Sequence, residues 1–238
     1  MLNQDTGKEA SFKIGNLSPV KMWGRFIQTI RSSNSLYWAS RNIKSHYDFS
    51  NEFFSSFLDS TMTYSAGIFE STSDTLQDAQ VRKLDRMLSR GAIKHSDHIL
   101  DIGCGWGGLS LQIAKDTGAQ VKGITLSENQ LATAQKRAQE EGLNEKVHFS
   151  LQDYRLETNK YDRIVSVGMF EHVGLRNFNN FFKCSKNLLK DDGLMLIHSI
   201  GSKYPPYGTN PWIKKYIFPG GFLPSINCLL YTSDAADE

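Results

Sequence analysis

Residues 100–108 read Leu-Asp-Ile-Gly-Cys-Gly-Trp-Gly-Gly, a short apolar run that leads into a loop with four glycines. Glycine has no Cβ atom, so the backbone of such a loop can come close to a ligand. A helix that begins directly after the loop offers free N–H groups to the same ligand. The stretch therefore predicts a strand, a ligand-binding loop and a helix at the start of a Rossmann-like α/β domain.

Strand and helix patterns alternate after this loop. Runs rich in β-branched residues predict strands at 98–103, 120–125, 147–152, 161–167 and 194–199. Helical periodicity predicts helices at 108–117, 128–141 and about 177–189. This alternation is typical of a doubly wound, mostly parallel sheet.

The chain before residue 98 has a helical and aromatic-rich pattern. We expect residues 1–40 to form a helical or flexible N-terminal segment and residues 74–88 to form a helix. In the first segment, residues 20–31 combine apolar positions at helical spacing with basic ones: Val20, Trp23, Ile27 and Ile30, with Lys21, Arg25 and Arg31. A basic amphipathic helix can lie on an anionic lipid surface. It can equally pack on the domain or on a partner subunit.

The bulk composition is that of an ordinary globular protein. The chain has 238 residues, 39% hydrophobic and 22% charged, and a formal net charge of +2. One core is expected, since single cores stop growing near about 250 to 300 residues. The small charge argues against a nucleic-acid partner. No apolar run approaches the roughly 20 residues that span a bilayer.

The cysteines and the N-terminus indicate a cytoplasmic protein. Cys104, Cys184 and Cys228 have no metal-like spacing and form no even-numbered disulfide framework. The first residues lack the basic start and apolar core of a secretory signal.

The glycine loop fits two cofactor classes. Gly103, Gly105 and Gly108 satisfy the pattern of dinucleotide enzymes. Such a site also has an acidic residue at the end of the second strand. That strand ends without a carboxylate before Ser127, although Glu128 leaves the alternative open. Asp101 favours S-adenosylmethionine (AdoMet), since class I methyltransferases place an acidic residue here beside the amino-acid moiety of the cofactor.

Separated motifs along the chain point the same way. They are His46-Tyr47-Asp48, residues 58–69 with Thr61-Met62-Thr63-Tyr64-Ser65, residues 100–108, Thr125-Leu126-Ser127, Gln152-Asp153-Tyr154, residues 166–174, Ile197-His198-Ser199-Ile200-Gly201, Pro211-Trp212 and residues 216–225. Together they resemble the cyclopropane-fatty-acid synthase family, including the mycolic acid cyclopropane synthases. The resemblance extends over about residues 42–227.

The resemblance implies a site and an activity. It implies AdoMet-dependent transfer of a methyl or methylene carbon to the cis double bond of an unsaturated phospholipid acyl chain. A cyclopropane would form through a carbocation that bound bicarbonate deprotonates. With Asp101, the implied cofactor-binding residues are Tyr64, Ser65, Gly103, Cys104, Gly105, Thr125, Leu126, Gln130, Asp153 and Tyr154. Glu171, His198 and Ile200 would hold the bicarbonate, with Glu171 orienting it and His198 sharing a hydrogen bond.

The resemblance also implies a setting for the enzyme. A bacterial, cytoplasmic protein would attach peripherally to the inner face of the membrane, where it meets its lipid. A homodimer is left open.

The sequence departs from the family pattern in two places. Family members often have cysteine where this chain has Ala66; alanine serves if that position contacts bicarbonate through its backbone, and ring closure is in doubt if the thiol matters. Residues 228–238 resemble a translated sequencing adapter, although an ordinary polar tail is the alternative. We therefore expect an incomplete methyltransferase domain at 41–227, truncated before the last two strands of the class I sheet, and we expect the chain to fold poorly or to be inactive.

Three other functions are left open. The carbocation could resolve to a methyl-branched or methylene product. Some amine methyltransferases resemble this family, so a small-molecule N-methyltransferase is a second alternative. The third is a fragment that binds AdoMet without turnover or is purely structural.

Overall fold

The computed structural model describes residues 35, 36, 39, 41 and 43 and the ranges 50–203, 210–218 and 221–234. The predicted helix within residues 20–31 and the motif at 46–48 lie outside these residues. The same is true of most of the predicted segment 1–40.

Five strands form one sheet in the described part of the chain. They are β1 (His98–Ile102), β2 (Gln120–Thr125), β3 (Val147–Leu151), β4 (Tyr161–Val167) and β5 (Leu189–His198). Their order is β3-β2-β1-β4-β5 and every neighbouring pair is parallel. The order reverses between β1 and β4, which leaves a crevice at the carboxyl ends of these strands. The predicted doubly wound parallel sheet is confirmed.

Helices cover both faces of the sheet. They are α1 (Asn51–Ser55), α2 (Leu76–Gly91), α3 (Gly108–Thr117), α4 (Glu128–Glu140), α5 (Phe178–Leu188), α6 (Pro211–Tyr216) and α7 (Ile226–Asp234). Neighbouring residues of β1 point to opposite faces. Ile99 joins a core with residues of α2, α3 and α4, whereas Leu100 joins a second core with residues of α5. Such double coverage is what a buried parallel sheet requires.

Helix α2 positions part of the site described below. Thr75 begins it with a capping box, in which the Thr75 side chain accepts from Asp78 N and the Asp78 carboxylate accepts from Thr75 N. The buried side of the helix carries two polar residues, Gln80 and Lys83, among apolar ones. A cap of this kind fixes where the helix starts, and therefore which residues point inward.

The fifth strand starts earlier than the sequence predicted. The prediction placed the strand at 194–199, after the polar residues Lys190, Asp191 and Asp192. In the structure Leu189 pairs with Tyr161, the register shifts, and Leu194 pairs with Arg163. The strand thus begins directly after α5 and bulges through the polar residues.

Helix α7 includes residues 228–234. Helix formation does not bear on the origin of these residues, so the adapter interpretation stays a prediction. Among the described residues, none of the helices has both the length and the apolar character that crossing a membrane demands.

Candidate active site

A cavity lies at the carboxyl ends of β1, β2 and β4, where the strand order reverses. All eleven residues predicted to bind the cofactor line it: Tyr64, Ser65, Asp101, Gly103, Cys104, Gly105, Thr125, Leu126, Gln130, Asp153 and Tyr154. Loops that follow parallel strands meet at one edge of the sheet, which is why residues so distant in sequence converge here. Of the residues predicted to be catalytic, Ala66, Glu171, His198 and Ile200 lie outside this lining.

The glycine loop leaves room above its backbone. Gly103 has a φ of +83°, and a Cβ atom there would lie 2.7 Å from the Met169 side chain. Gly105 has a φ of +56°, and a Cβ atom there would meet no atom within 4 Å. Gly103 is therefore required by packing, whereas Gly105 faces empty space in the cavity wall. A ligand can approach the backbone at Gly105.

Asp101 is a buried carboxyl in the cavity wall, with 1% of its surface exposed. Its Oδ2 accepts a hydrogen bond of 2.7 Å from the Ser110 hydroxyl of α3. Burial raises the pKa of Asp101 to about 7, although the Ser110 hydrogen bond acts in the opposite direction. A positively charged group bound in the cavity would restore its ordinary ionisation.

The end of β2 presents neutral polar groups to the cavity. The Thr125 hydroxyl donates to Gln130 Oε1 over 2.8 Å and accepts from Ser127 N over 3.2 Å. Glu128, the residue that left a dinucleotide site open, is exposed and lies outside the described lining of the cavity. The arrangement lacks the carboxylate that a nicotinamide-cofactor ribose requires at this strand end.

Asp153 and Arg155 form an ion pair in the cavity wall. Arg155 Nε donates to Asp153 Oδ1 over 2.8 Å, and an Arg155 Nη donates to Asp153 Oδ2 over 2.6 Å. Asp153 Oδ1 also accepts from Arg155 N, which starts the short helical turn Tyr154–Leu156. The bidentate pair fixes the carboxylate and limits its side-chain freedom.

The segment from 59 to 65 is held as a rigid wall of the cavity. Asp59 Oδ2 accepts from Thr61 N over 3.0 Å, and Asp59 Oδ1 accepts from Thr63 N over 3.1 Å. Between them Met62 has a φ of +57°, which is strained for a side chain of this type. Gly108 lets α3 approach this segment, since a Cβ atom there would lie 2.6 Å from Thr61 O. The threonines of the family motif thus shape the backbone that leads to Tyr64 and Ser65.

Two polar residues of α2 donate hydrogen bonds to the same segment, and the sequence-based prediction missed both. Lys83 is 0% exposed, and its Nζ donates to Ser65 Oγ over 2.7 Å and to Gln80 Oε1 over 2.6 Å. Gln80 Nε2 donates to Ser65 O over 2.7 Å and to Thr63 O over 3.2 Å. The available signal was that both residues fall on the helix side that also carries Ala79 and Leu84, which are buried.

Glu171 is a buried carboxyl next to the cavity wall, with 1% of its surface exposed. Its Oε1 accepts from Ile200 N over 2.6 Å, whereas its Oε2 has no hydrogen-bond partner among the described residues. Burial raises the pKa of Glu171, while the hydrogen bond from the Ile200 N–H partly offsets that effect. The structure thus brings Glu171 and Ile200 together, as the resemblance implies.

His198 ends β5 beside the strand that carries Val167. Its backbone oxygen accepts from Gly168 N over 2.9 Å, and Val167 and Gly168 both line the cavity. His198 Nδ1 is buried and has no hydrogen-bond partner within the described part of the chain. Burial, with a smaller effect of the Lys83 charge, lowers the pKa of His198, so the neutral imidazole is favoured.

Three further residues near the site take different places. Ala66 is exposed, one residue beyond Ser65. Phe170 is fully buried and packs on Phe178 with ring centroids 4.3 Å apart, so it belongs to the core. His172, which the prediction left out, lines the cavity and packs edge-on against Phe218.

Comparison with known proteins identifies the family. The family described as mycolic acid cyclopropane synthetase matches residues 35–237. The cyclopropane-fatty-acyl-phospholipid synthase of Escherichia coli (strain K12) is 44% identical over 191 residues, which cover 80% of this chain and 49% of the relative. The tuberculostearic acid methyltransferase of Mycobacterium tuberculosis is 38% identical over 203 residues, 81% of this chain and 47% of the relative. The chain thus spans about half the length of these relatives.

Solved structures agree with this grouping. The mycolic acid cyclopropane synthase CmaA1, complexed with SAH and CTAB, superposes with a TM-score of 0.76 at 34% identity. The match covers 83% of this chain and 74% of the CmaA1 chain. Coclaurine N-methyltransferase, bound to N-methylheliamine and SAH, superposes with a TM-score of 0.72 at 25% identity. The match covers 90% of this chain and 67% of the methyltransferase chain. The fold is therefore that of class I AdoMet-dependent methyltransferases. With the family match extending over most of its length, the chain belongs to the mycolic acid cyclopropane synthetase family.

Proposed function

We propose that the protein binds AdoMet in the cavity and transfers its methyl carbon to the cis double bond of an unsaturated phospholipid acyl chain, giving a cyclopropane. The residues fit the cofactor. Gly105 leaves space for close approach of a ligand, and Asp101 is a buried carboxyl that a cationic amino group would satisfy. AdoMet, when bound, supplies an electrophilic methyl group on a sulfonium.

The reaction makes specific demands on the protein. Bound AdoMet would supply the methyl group, the π electrons of the alkene would form the new C–C bond while the S–CH₃ electrons stay on sulfur, and the acyl chain would become a carbocation. A proton must then leave the new methyl group, and its C–H electrons close the ring. A base near that proton and a cavity that excludes water meet these demands, since water would trap the cation.

The environment of the Glu171 carboxyl is the observation that supports the proposal most directly. Its carboxyl is buried, one oxygen is held by Ile200 N, and the other has no partner among the described residues. Because burial raises its pKa, the group can retain a proton and donate it to a bound anion. With His198 Nδ1 also lacking a partner there, the two residues fit a bicarbonate ion, which would serve as the base.

Exposed aromatic side chains support a lipid as the substrate. Phe53, Phe57 and Tyr64 are 49%, 44% and 40% exposed, and their rings pack together with ring centroids 5.4 to 6.1 Å from their neighbours. Tyr64 also lines the cavity. We infer that this aromatic surface meets the membrane and admits the acyl chain. The name of the Escherichia coli relative is consistent with a phospholipid substrate.

The test combines one product analysis with one variant. Wild-type protein, AdoMet and vesicles of a phosphatidylglycerol with a cis-monounsaturated chain should give an acyl chain heavier by one methylene group. A cyclopropane resists mild hydrogenation, whereas a methylene-branched chain takes up hydrogen. Glu171→Gln should lower kcat by about 10²-fold or more, the usual size of a proton-transfer contribution. Its affinity for S-adenosylhomocysteine (AdoHcy) should stay within threefold. Glu145→Gln, at an exposed position, is the matched control.

The structural similarity to coclaurine N-methyltransferase supports one alternative, a small-molecule N-methyltransferase. An amine acceptor carries its own lone pair and needs no carbocation. Glu171→Gln would then spare turnover, and methylation would appear on an amine instead of the lipid. Absence of turnover on both kinds of acceptor, with AdoHcy still bound, would favour the binding-only alternative.

A further inference from the structure

Lys83 is a buried cation that the proposed reaction has not used. It is 0% exposed, and two of the three N–H donors of its ammonium are used by Ser65 Oγ and Gln80 Oε1. Both acceptors are neutral. Buried lysines are rare in proteins unless a partner of opposite charge is present.

No carboxylate forms an ion pair with Lys83 among the described residues. Asp59 acts on it only at longer range, and burial, the larger effect, lowers the pKa of Lys83 to about 8. A buried charge without a direct counter-charge is unfavourable, and a bound anion would stabilise it. The residue therefore favours a negatively charged ligand in its neighbourhood.

The surroundings of Lys83 connect it to the residues proposed to hold bicarbonate. Ser65, its hydrogen-bond partner, lies against Gly168, where a Cβ atom would be 3.5 Å from Ser65 Cβ. Gly168 N donates to His198 O. The positive charge of Lys83 also acts on the imidazole of His198. Lys83, Ser65 and His198 thus lie at one end of the site.

We propose that Lys83 is a positioning residue for the anion. Its ammonium fixes Ser65 and the backbone next to the site, and it supplies the positive charge that holds bicarbonate between Glu171 and His198. This inference rests on the proposed function, because bicarbonate is the anion that the proposed reaction needs. A bound anion in a dry pocket needs positive charge nearby, and Lys83 supplies it at the His198 end of the site.

The first test needs no turnover and no variant. Lysine side chains labelled with ¹³C at Cε are titrated by NMR with sodium bicarbonate or with sodium chloride at equal ionic strength, in the presence of AdoHcy. Bicarbonate should raise the pKa of Lys83 by about half a unit or more, since a nearby anion stabilises the charged form. Lys115, which is exposed on α3, should be unchanged and serves as the internal control. Identical titrations of Lys83 in the two salts would overturn the proposal.

The second test separates charge from folding. Lys83→Met should raise the bicarbonate concentration that gives half-maximal turnover by about tenfold or more, and it should raise the pKa of His198 by removing a like charge. AdoHcy affinity should change by less than threefold. Lys115→Met should leave all three quantities unchanged. Lys83→Gln keeps a hydrogen-bond donor without the charge and should behave as Lys83→Met does.

The outcomes distinguish this inference from the proposed function. If wild-type protein modifies no lipid but bicarbonate still shifts the titration of Lys83, the function fails and the anion site stands. If wild-type protein forms cyclopropane and a folded Lys83→Met variant keeps the wild-type bicarbonate dependence, the inference is wrong and the function stands. Should both variants fail to fold, the NMR titration of the wild type decides alone.

Discussion

Replacing Asp101 by asparagine should stabilise the ligand-free protein. The stabilisation relative to wild type should increase as pH rises toward and past 7. Asp101 is buried, and burial raises its pKa to about 7, whereas an unfolded chain has the ordinary value near 3.9. A displacement of about 3 units corresponds to roughly 4 kcal/mol. Because the folded-state pKa is the higher one, the stabilisation by protonated Asp101 is complete below pH 4 and is lost as pH rises through 7. Asparagine does not titrate, so its contribution is independent of pH.

Urea denaturation of the two proteins between pH 5 and pH 8 measures this effect. Other titrating groups are common to both proteins and cancel in the difference between them. The free energy of unfolding of Asp101→Asn should rise relative to wild type by about 2.5 kcal/mol over this range, to order of magnitude. AdoHcy should bind the variant much more weakly, because the cationic amino group of the ligand loses its carboxylate partner.

Calorimetry of AdoHcy binding gives a second measure of the same carboxyl. At pH 6 the ligand's amino group is already protonated, so binding should release about 0.9 proton from Asp101. The release is read from the binding enthalpy in buffers of different ionisation enthalpy. Asp101→Asn, studied at higher ligand concentration, should release none. The reasoning is refuted if the stability difference does not vary with pH, or if wild type binds AdoHcy at pH 6 without proton release.

Two further substitutions test the packing of the glycine loop and provide a stability control. Gly108→Ala should lower the free energy of unfolding by about 1 to 3 kcal/mol and weaken AdoHcy binding, since the new Cβ atom would lie 2.6 Å from Thr61 O; binding at wild-type strength would show that the segment yields without affecting the cavity. Thr75→Ala removes the capping box of α2 and should lower stability by about 1 kcal/mol with AdoHcy affinity unchanged, as measured by denaturation and calorimetry; a loss of affinity would mean that α2 transmits strain to the cavity.

The sequence predicts the elements of this fold where local signals are strong. Strands β2 and β4 occupy the predicted residues, and α3 ends at Gly118, where a left-handed cap requires glycine. Strand β5 differs because its first pair, Leu189 with Tyr161, is made with the neighbouring strand β4, 28 residues away in sequence as for Lys190 and Asp162. A pair between distant residues leaves no periodicity in either segment. The predicted strand therefore began later than the observed one, which starts at Leu189.

The sequence predicted many of the residues that line the cavity, whereas the buried polar residues Gln80 and Lys83 behind Ser65 were missed. Most of the residues predicted to bind the cofactor follow strands in sequence, and the topology of a parallel sheet brings such residues together at one edge, whereas Tyr64 and Ser65 precede the sheet. Lys83 and Gln80 lie in the middle of a helix, where lysine and glutamine are usually solvated. Their burial depends on the segment from 63 to 65 crossing α2, which is a tertiary contact. The sequence pattern of α2 alone does not indicate which side of the helix this segment covers.

Three buried ionisable groups of this site, two carboxyls and one ammonium, have pKa values displaced toward neutrality, and the main cause is the same for all three. Asp101 and Glu171 are raised and Lys83 is lowered, in each case mainly by burial. None of these three forms an ion pair among the described residues. A protein built only for stability would supply counter-charges of its own or replace these groups by apolar ones. Here a cationic amino group would complete Asp101, and an anion would complete Lys83. The charges that the ligand-free protein leaves uncompensated are therefore opposite in sign to those of the ligands we propose, so ligand binding should stabilise the fold as well as enable the reaction.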